Sequence, residues 1–242
     1  MKPDTTRQLD ELLSTWAADS DTGFDVCIVR HGVIALHKAY GQRQGKPLTT
    51  ESMTHLTSTS KMITAAMLLQ LVDQGWLKLD EPITTLPGPL HDLPTQKPVT
   101  LRAMYTHTAF IGGLHPLRDM EERLAQVLPH LPIGEGYQYT GTSLEMAWAL
   151  ASLESGKSIS TFARDHLLQP LGCEHTEVFN TGGSTQSTSL DMARICQMLL
   201  NRGAYGDKRY FSEQTFEAML PQRLTKTLGP YTNDRVWGFG SH

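Results

Sequence analysis

Cysteine is scarce in this chain: Cys27, Cys173 and Cys196 are the only three among 242 residues. They are odd in number, far apart and without C-x-x-C spacing, which argues against a disulfide framework and against a zinc site. Cys27, flanked by Val26 and Ile28, reads as a buried small hydrophobe. The histidines show no H-E-x-x-H or other paired-ligand spacing, so no metal is expected. G-x-G-x-x-G and Walker loops are missing too, and no cofactor is implied. Strong charge of one sign is also lacking. Charged residues make up 19% of the chain, the formal net charge is -4, and no Lys/Arg stripe interleaves with aromatics. That composition excludes a nucleic-acid footprint. The longest apolar stretch, Ala65 to Val72, is too short to span a bilayer, so no membrane partner is read. Met1-Lys2-Pro3-Asp4-Thr5-Thr6-Arg7 leads into no apolar signal region, and a cytoplasmic protein is expected.

What is present is a hydrophobic fraction of 39%, enough for one core or for two lobes sharing a cleft. Leu9, Leu12, Leu13 and Trp16 recur at helical spacing and predict a first helix with one apolar stripe. Two strand-like runs follow, Phe24 to Val29 and Val33 to Tyr40, joined by Arg30-His31-Gly32 as a hairpin. Gln42 to Glu51 reads as polar loop. Ser60 to Gln74 then predicts a long helix, apolar on several faces and therefore buried nearly all round, with Gly75 as its stop. Pro82, Pro87, Pro89, Pro94 and Pro98 mark a loop. Helices are expected over 101–105, 118–127, 143–153, 158–168, 189–201 and 212–220, with Thr100, Ser158 and Ser212 as N-caps. Trp16, Trp76 and Trp148 read as core. The aromatic/glycine alternation at 235–240 looks like the beginning of a strand. A lone hairpin is marginal in water, so the complete sheet is expected to need strands after residue 242. Its open edge makes self-association a candidate property.

Ser58-Thr59-Ser60-Lys61 contains S-x-x-K, a pattern expected roughly once by chance in a chain this long. Its setting adds weight. Positions i and i+3 share a helix face, so the Lys61 amine reaches the Ser58 hydroxyl. The head of a helix also favours developing negative charge. A lysine against an apolar helix wall is desolvated, which makes its neutral, proton-accepting form accessible. That is what activation of a serine nucleophile requires.

Leu56 through Lys61, continuing through Ala65–Gly75 to Leu79-Asp80-Glu81-Pro82, resembles the nucleophile helix of the class C β-lactamase and β-lactamase-like esterase family. Four further segments resemble that family in the same order. They are the hairpin ending in Tyr40-Gly41, Val99 to Thr108 (the family's "LLTHTSG"), Gly134 to Gly141 ("PG-x-x-x-x-YSN"), and Ser187 to Gly203 ("STA-x-D-x-AR…LLNGG"). The resemblance implies an α/β (α+β), two-lobed fold of the serine β-lactamase and penicillin-binding-protein type, with an incomplete antiparallel sheet and a mostly helical lobe. One domain, 1–242, is expected: 1–55 and 206–242 in the α/β lobe and 56–205 in the helical lobe.

The resemblance makes Ser58 the nucleophile, Lys61 its base and Tyr139 the residue passing a proton to the leaving group. It implies an acyl-enzyme hydrolase with a small-molecule ester or amide as its partner. Two departures bear on specificity. The family's Asn after the tyrosine is Gly141 here, which favours esters or small amides over β-lactams or D-amino-acid peptides. The third motif, K-T-G or H-x-G, is not found, although His242 could be its first residue. β-Lactamase or D-amino-acid-specific peptidase activity, and a truncated non-catalytic or acylation-only binding module, therefore stay open as alternatives. His107, in the "THT" segment, reads as structural.

Overall fold

The computed structural model describes residues 3–86, 91, 98–109, 136–223 and 236–240. In chain order the helices are α1 (Pro3–Ala18), α2 (Ser60–Asp73), α3 (Leu101–Tyr105), α4 (Thr142–Ser155), α5 (Ile159–Phe162), α6 (Gln169–Leu171), α7 (Ser189–Leu200) and α8 (Glu213–Glu217). The principal strands, β1 (Phe24–Arg30) and β2 (Val33–Tyr40), pair antiparallel with Phe24 opposite Tyr40 and an irregularity after Ile28. Four two-residue antiparallel ladders complete the described strands: β3 (Gln42–Arg43) with β4 (Lys46–Pro47), β5 (Thr54–His55) with β6 (Gln186–Ser187), β7 (Ala204–Tyr205) with β8 (Lys208–Arg209), and β9 (Gln222–Arg223) with β10 (Val236–Trp237).

The core is organised around α2. Every residue from Ile63 to Leu69 has 0% exposure, as expected of a helix apolar on all faces. Its end is a Schellman motif: Gly75 N–H donates to Val72 O and Trp76 N–H to Leu71 O, with Gly75 at φ 78°. Leu101, Met104 and Tyr105 of α3 and Leu144, Ala147 and Trp148 of α4 fill the same core. Phe239 reaches back to stack on Tyr105 with ring centroids 4.4 Å apart. This places the start of the expected C-terminal strand against the central helix. A Cβ at Gly240 would lie 2.6 Å from Ala65 Cβ and 2.7 Å from Lys61 O. Only a glycine lets the backbone approach α2 this closely there.

Several expectations are met in detail. α3 spans the anticipated residues, and Thr100, Ser158 and Ser212 each accept an N-capping hydrogen bond, from Ala103, Thr161 and Thr215 N–H respectively. Others differ. Of its stripe the first helix buries Leu13 fully and Leu9 partly, with Leu12 45% and Trp16 56% exposed. Polar contacts hold it instead: Asp10 Oδ1 accepts from Lys38 Nζ (2.8 Å) and Tyr40 OH (2.6 Å). Trp76 is also half exposed, because it follows the glycine stop and leaves the helix, whereas Trp148 is buried. Cys27 is only partly buried. The polar stretch 42–51 contains the tight β3–β4 pair. The 158–168 helix passes through a π-helical stretch, Ala163–Leu168, and continues into α6. The helix expected at 118–127 and His242 lie outside the described residues. No helix among the described residues is long and apolar enough to cross a membrane.

Candidate active site

Ser58 lies in a 3-10 turn, Thr57–Thr59, which runs directly into α2. The preceding residue, Thr57, has φ 47°. A β-branched residue in the left-handed region is a local strain, held by the contacts around it. Those contacts come from the β5–β6 ladder, from Leu56 N–H donating to Thr185 O (2.9 Å), and from Gly183, which packs beside the Thr57 backbone.

One turn on, Lys61 is 4% exposed, and its Nζ donates to Ser58 Oγ at 3.2 Å and to Gly182 O at 2.9 Å. The i, i+3 spacing thus delivers the juxtaposition anticipated from the sequence. Tyr139 arrives from the irregular segment just before α4. Its hydroxyl lies 2.6 Å from Ser58 Oγ, and the Lys61 ammonium sits 4.7 Å from its ring centroid. Burial alone would raise the Tyr139 phenol. Hydrogen bonds with Lys61 and Ser58, together with the lysine charge, outweigh it and hold the phenol below its ordinary value. Ser58, Lys61 and Tyr139 therefore form one hydrogen-bonded cluster. Gly141 caps α4 two residues beyond Tyr139, and an added Cβ there would meet nothing within 4 Å.

Two residues at the site are not legible as site residues in the sequence. Asn180 Oδ1 accepts from the N–H groups of Gly182 (3.0 Å), Gly183 (3.2 Å) and Ser184 (3.3 Å). This folds the turn that presents Gly182 O to Lys61 and Thr181 O to Thr64 Oγ1. The Asn180-Thr181-Gly182-Gly183 run is an ordinary turn signal, and nothing local says what the turn touches. His107 is 1% exposed, its ring 4.6 Å from that of Tyr139. Burial, aided by the Lys61 charge, pushes its imidazole down to about 4, so it is neutral near pH 7. No group of three or more His, Cys, Asp or Glu side chains able to hold a metal occurs among the described residues.

A buried helix headed by a serine, with a lysine one turn on and a tyrosine on the serine oxygen, has the form of an active-site serine hydrolase. The chain belongs to the beta-lactamase family, whose model matches residues 15–240. Among curated proteins it is 26% identical over 247 residues to the D-alanyl-D-alanine-carboxypeptidase/endopeptidase AmpH of Escherichia coli K12, covering 84% of this chain and 64% of that protein. It is 27% identical over 179 residues to esterase EstB of Burkholderia gladioli, covering 60% of this chain and 44% of that protein. The chain thus spans less than two thirds of the length of these relatives. Its fold matches that of the D-amino acid amidase of Ochrobactrum anthropi with a TM-score of 0.75 at 19% identity, over 98% of this chain and 80% of that one.

Proposed function

We propose that this chain is a serine hydrolase that forms an acyl-enzyme on Ser58, with esters or small amides as substrates. The observation that carries this reading is the Ser58 hydroxyl shared between Lys61 Nζ at 3.2 Å and Tyr139 OH at 2.6 Å. In the reacting form one member of the Lys61/Tyr139 pair is deprotonated; Ser58 Oγ attacks the carbonyl carbon, and its proton passes to that member. The Ser58 backbone N–H, at the head of the helical segment, faces the developing oxyanion. On collapse the bond to the leaving group breaks and Tyr139 returns the proton to it. Water then attacks the acyl carbon, the same groups take its proton, and Ser58 is released with the acid. Gly141 offers no side-chain donor to an acyl amide, which favours esters. The family resemblance to EstB supports the same class.

The test is intact-mass measurement after exposure to a fluorophosphonate, with Ser58→Ala alongside, followed by hydrolysis of p-nitrophenyl esters. A single adduct on the unsubstituted protein only, together with ester turnover, is the expected result. An adduct without turnover would favour the acylation-only module. No adduct on folded protein would sink the nucleophile assignment.

A further inference from the structure

α3 ends in a Schellman motif: His107 N–H donates to Met104 O (3.3 Å) and Thr108 N–H to Ala103 O (2.8 Å). The residue at the left-handed position of this motif is normally glycine. Here it is His107, at φ 59°. At the end of α2 the same motif carries Gly75 in that place, whereas α7 ends in it with Arg202 at φ 52°, so this fold stops helices with either kind of residue. The departure from glycine does not by itself assign a task, so a reason particular to His107 must come from what it touches.

The contacts of His107 supply one. Its carbonyl accepts from Gln138 N–H at 2.9 Å, and its Nδ1 accepts from Thr140 N–H at 3.3 Å. These two bonds grip the residues on either side of Tyr139. The imidazole lies against the Tyr139 ring, while Tyr137 meets the imidazole edge-on with centroids 5.9 Å apart. We infer that His107 is the positioning residue of Tyr139: its carbonyl, Nδ1 and ring together set where the phenol oxygen meets Ser58. The inference rests on the Ser58/Tyr139 reading above. It assigns His107 a task that a helix stop does not need.

An imidazole can accept at Nδ1 only while that nitrogen carries no proton. Among the groups around it, Lys61 on α2 opposes such protonation by its charge, and Tyr137 and Tyr139 are the titratable neighbours from the 136–141 segment.

Two substitutions separate positioning from helix stopping. His107→Gly relaxes the left-handed backbone but removes the ring and the acceptor. His107→Asn tolerates the same backbone and places an amide oxygen where Nδ1 accepts. Both are read by kcat and KM on p-nitrophenyl butyrate, and by the titration of the Tyr139 phenol carbon in 13C-tyrosine NMR, assigned with Tyr139→Phe. For His107→Gly the expectation is a kcat loss on the order of a hundredfold with little change in KM, and a Tyr139 titration moved up toward the ordinary tyrosine value. His107→Asn should recover most of both. A glycine variant with native kcat and native Tyr139 titration would overturn the proposal, as would an asparagine variant as impaired as the glycine one. If the unsubstituted protein hydrolyses no ester, the functional reading fails. The Tyr139 titration still decides the positioning role.

Discussion

Gly141 sits where a side chain would have room. Its backbone, at φ -78° and ψ -26°, is right-handed and suits any residue, and no atom lies within 4 Å of an added Cβ. The position is also an N-cap without a side-chain hydrogen bond. A non-glycine residue fits this backbone and restricts the unfolded chain, so Gly141→Asn should leave the thermal midpoint unchanged or slightly raised. If the position faces the acyl side of the substrate, the new amide donor adds one hydrogen bond to amide-bearing substrates. That corresponds to roughly a five- to tenfold gain in nitrocefin or D-alanyl amide hydrolysis relative to p-nitrophenyl esters. An unchanged ratio would mean that Gly141 does not face the acyl group. The glycine would then carry no weight in the choice between ester and amide.

Among the elements, α7 shows how a sequence segment becomes a brace. Thr188 caps it by accepting from Asp191 N–H at 3.4 Å, and the Asp191 side chain is 1% exposed. Its Oδ2 accepts from His175 N–H (2.7 Å) and Thr176 Oγ1 (2.9 Å), and its Oδ1 pairs with Arg194 (2.9 Å). Arg194 also donates to Gly172 O. One carboxylate therefore ties α7 to the 172–176 chain, which leads on to Asn180 and the turn beneath Lys61. Asp191→Ala removes the anionic partner of the partly buried Arg194 guanidinium, the acceptor of His175 N–H and one of the two partners of Thr176 Oγ1. The expected cost is about 3 kcal/mol, or a fall in thermal midpoint of roughly 6–12 °C for a domain of this size. Thr188→Ala, which removes only the cap, should cost about 1 kcal/mol. Thermal unfolding followed by circular dichroism compares the two, and an equal small loss would show that Asp191 is no more than a cap partner.

At the scale of the whole molecule, the buried imidazole couples stability to pH. The folded value of His107 is about 4, against 6.5 for an unperturbed histidine. The unfolded chain therefore takes up the proton first. The stabilisation is fully present above about pH 6.5, declines as the pH falls, and is lost by about pH 4, for a total on the order of 3 kcal/mol. His107→Asn has no such group. Urea unfolding at pH 7 and pH 4.5 should show the native protein losing more stability than the variant over that interval, and equal losses would place the titrating group elsewhere. The sequence by itself determined the ends of α3, the hairpin pairing, the buried character of α2 and the Ser58–Lys61 contact. Each of these depends on spacing or capping within a few residues. Only the tertiary structure decided that Trp16 and Trp76 face outward, that β5 finds β6, that Asn180 supports Lys61, and that His107 grips Tyr139. Those pairings join residues 31 to 133 positions apart in the chain. They are set by which surfaces meet once α2 is buried, and no local pattern encodes that.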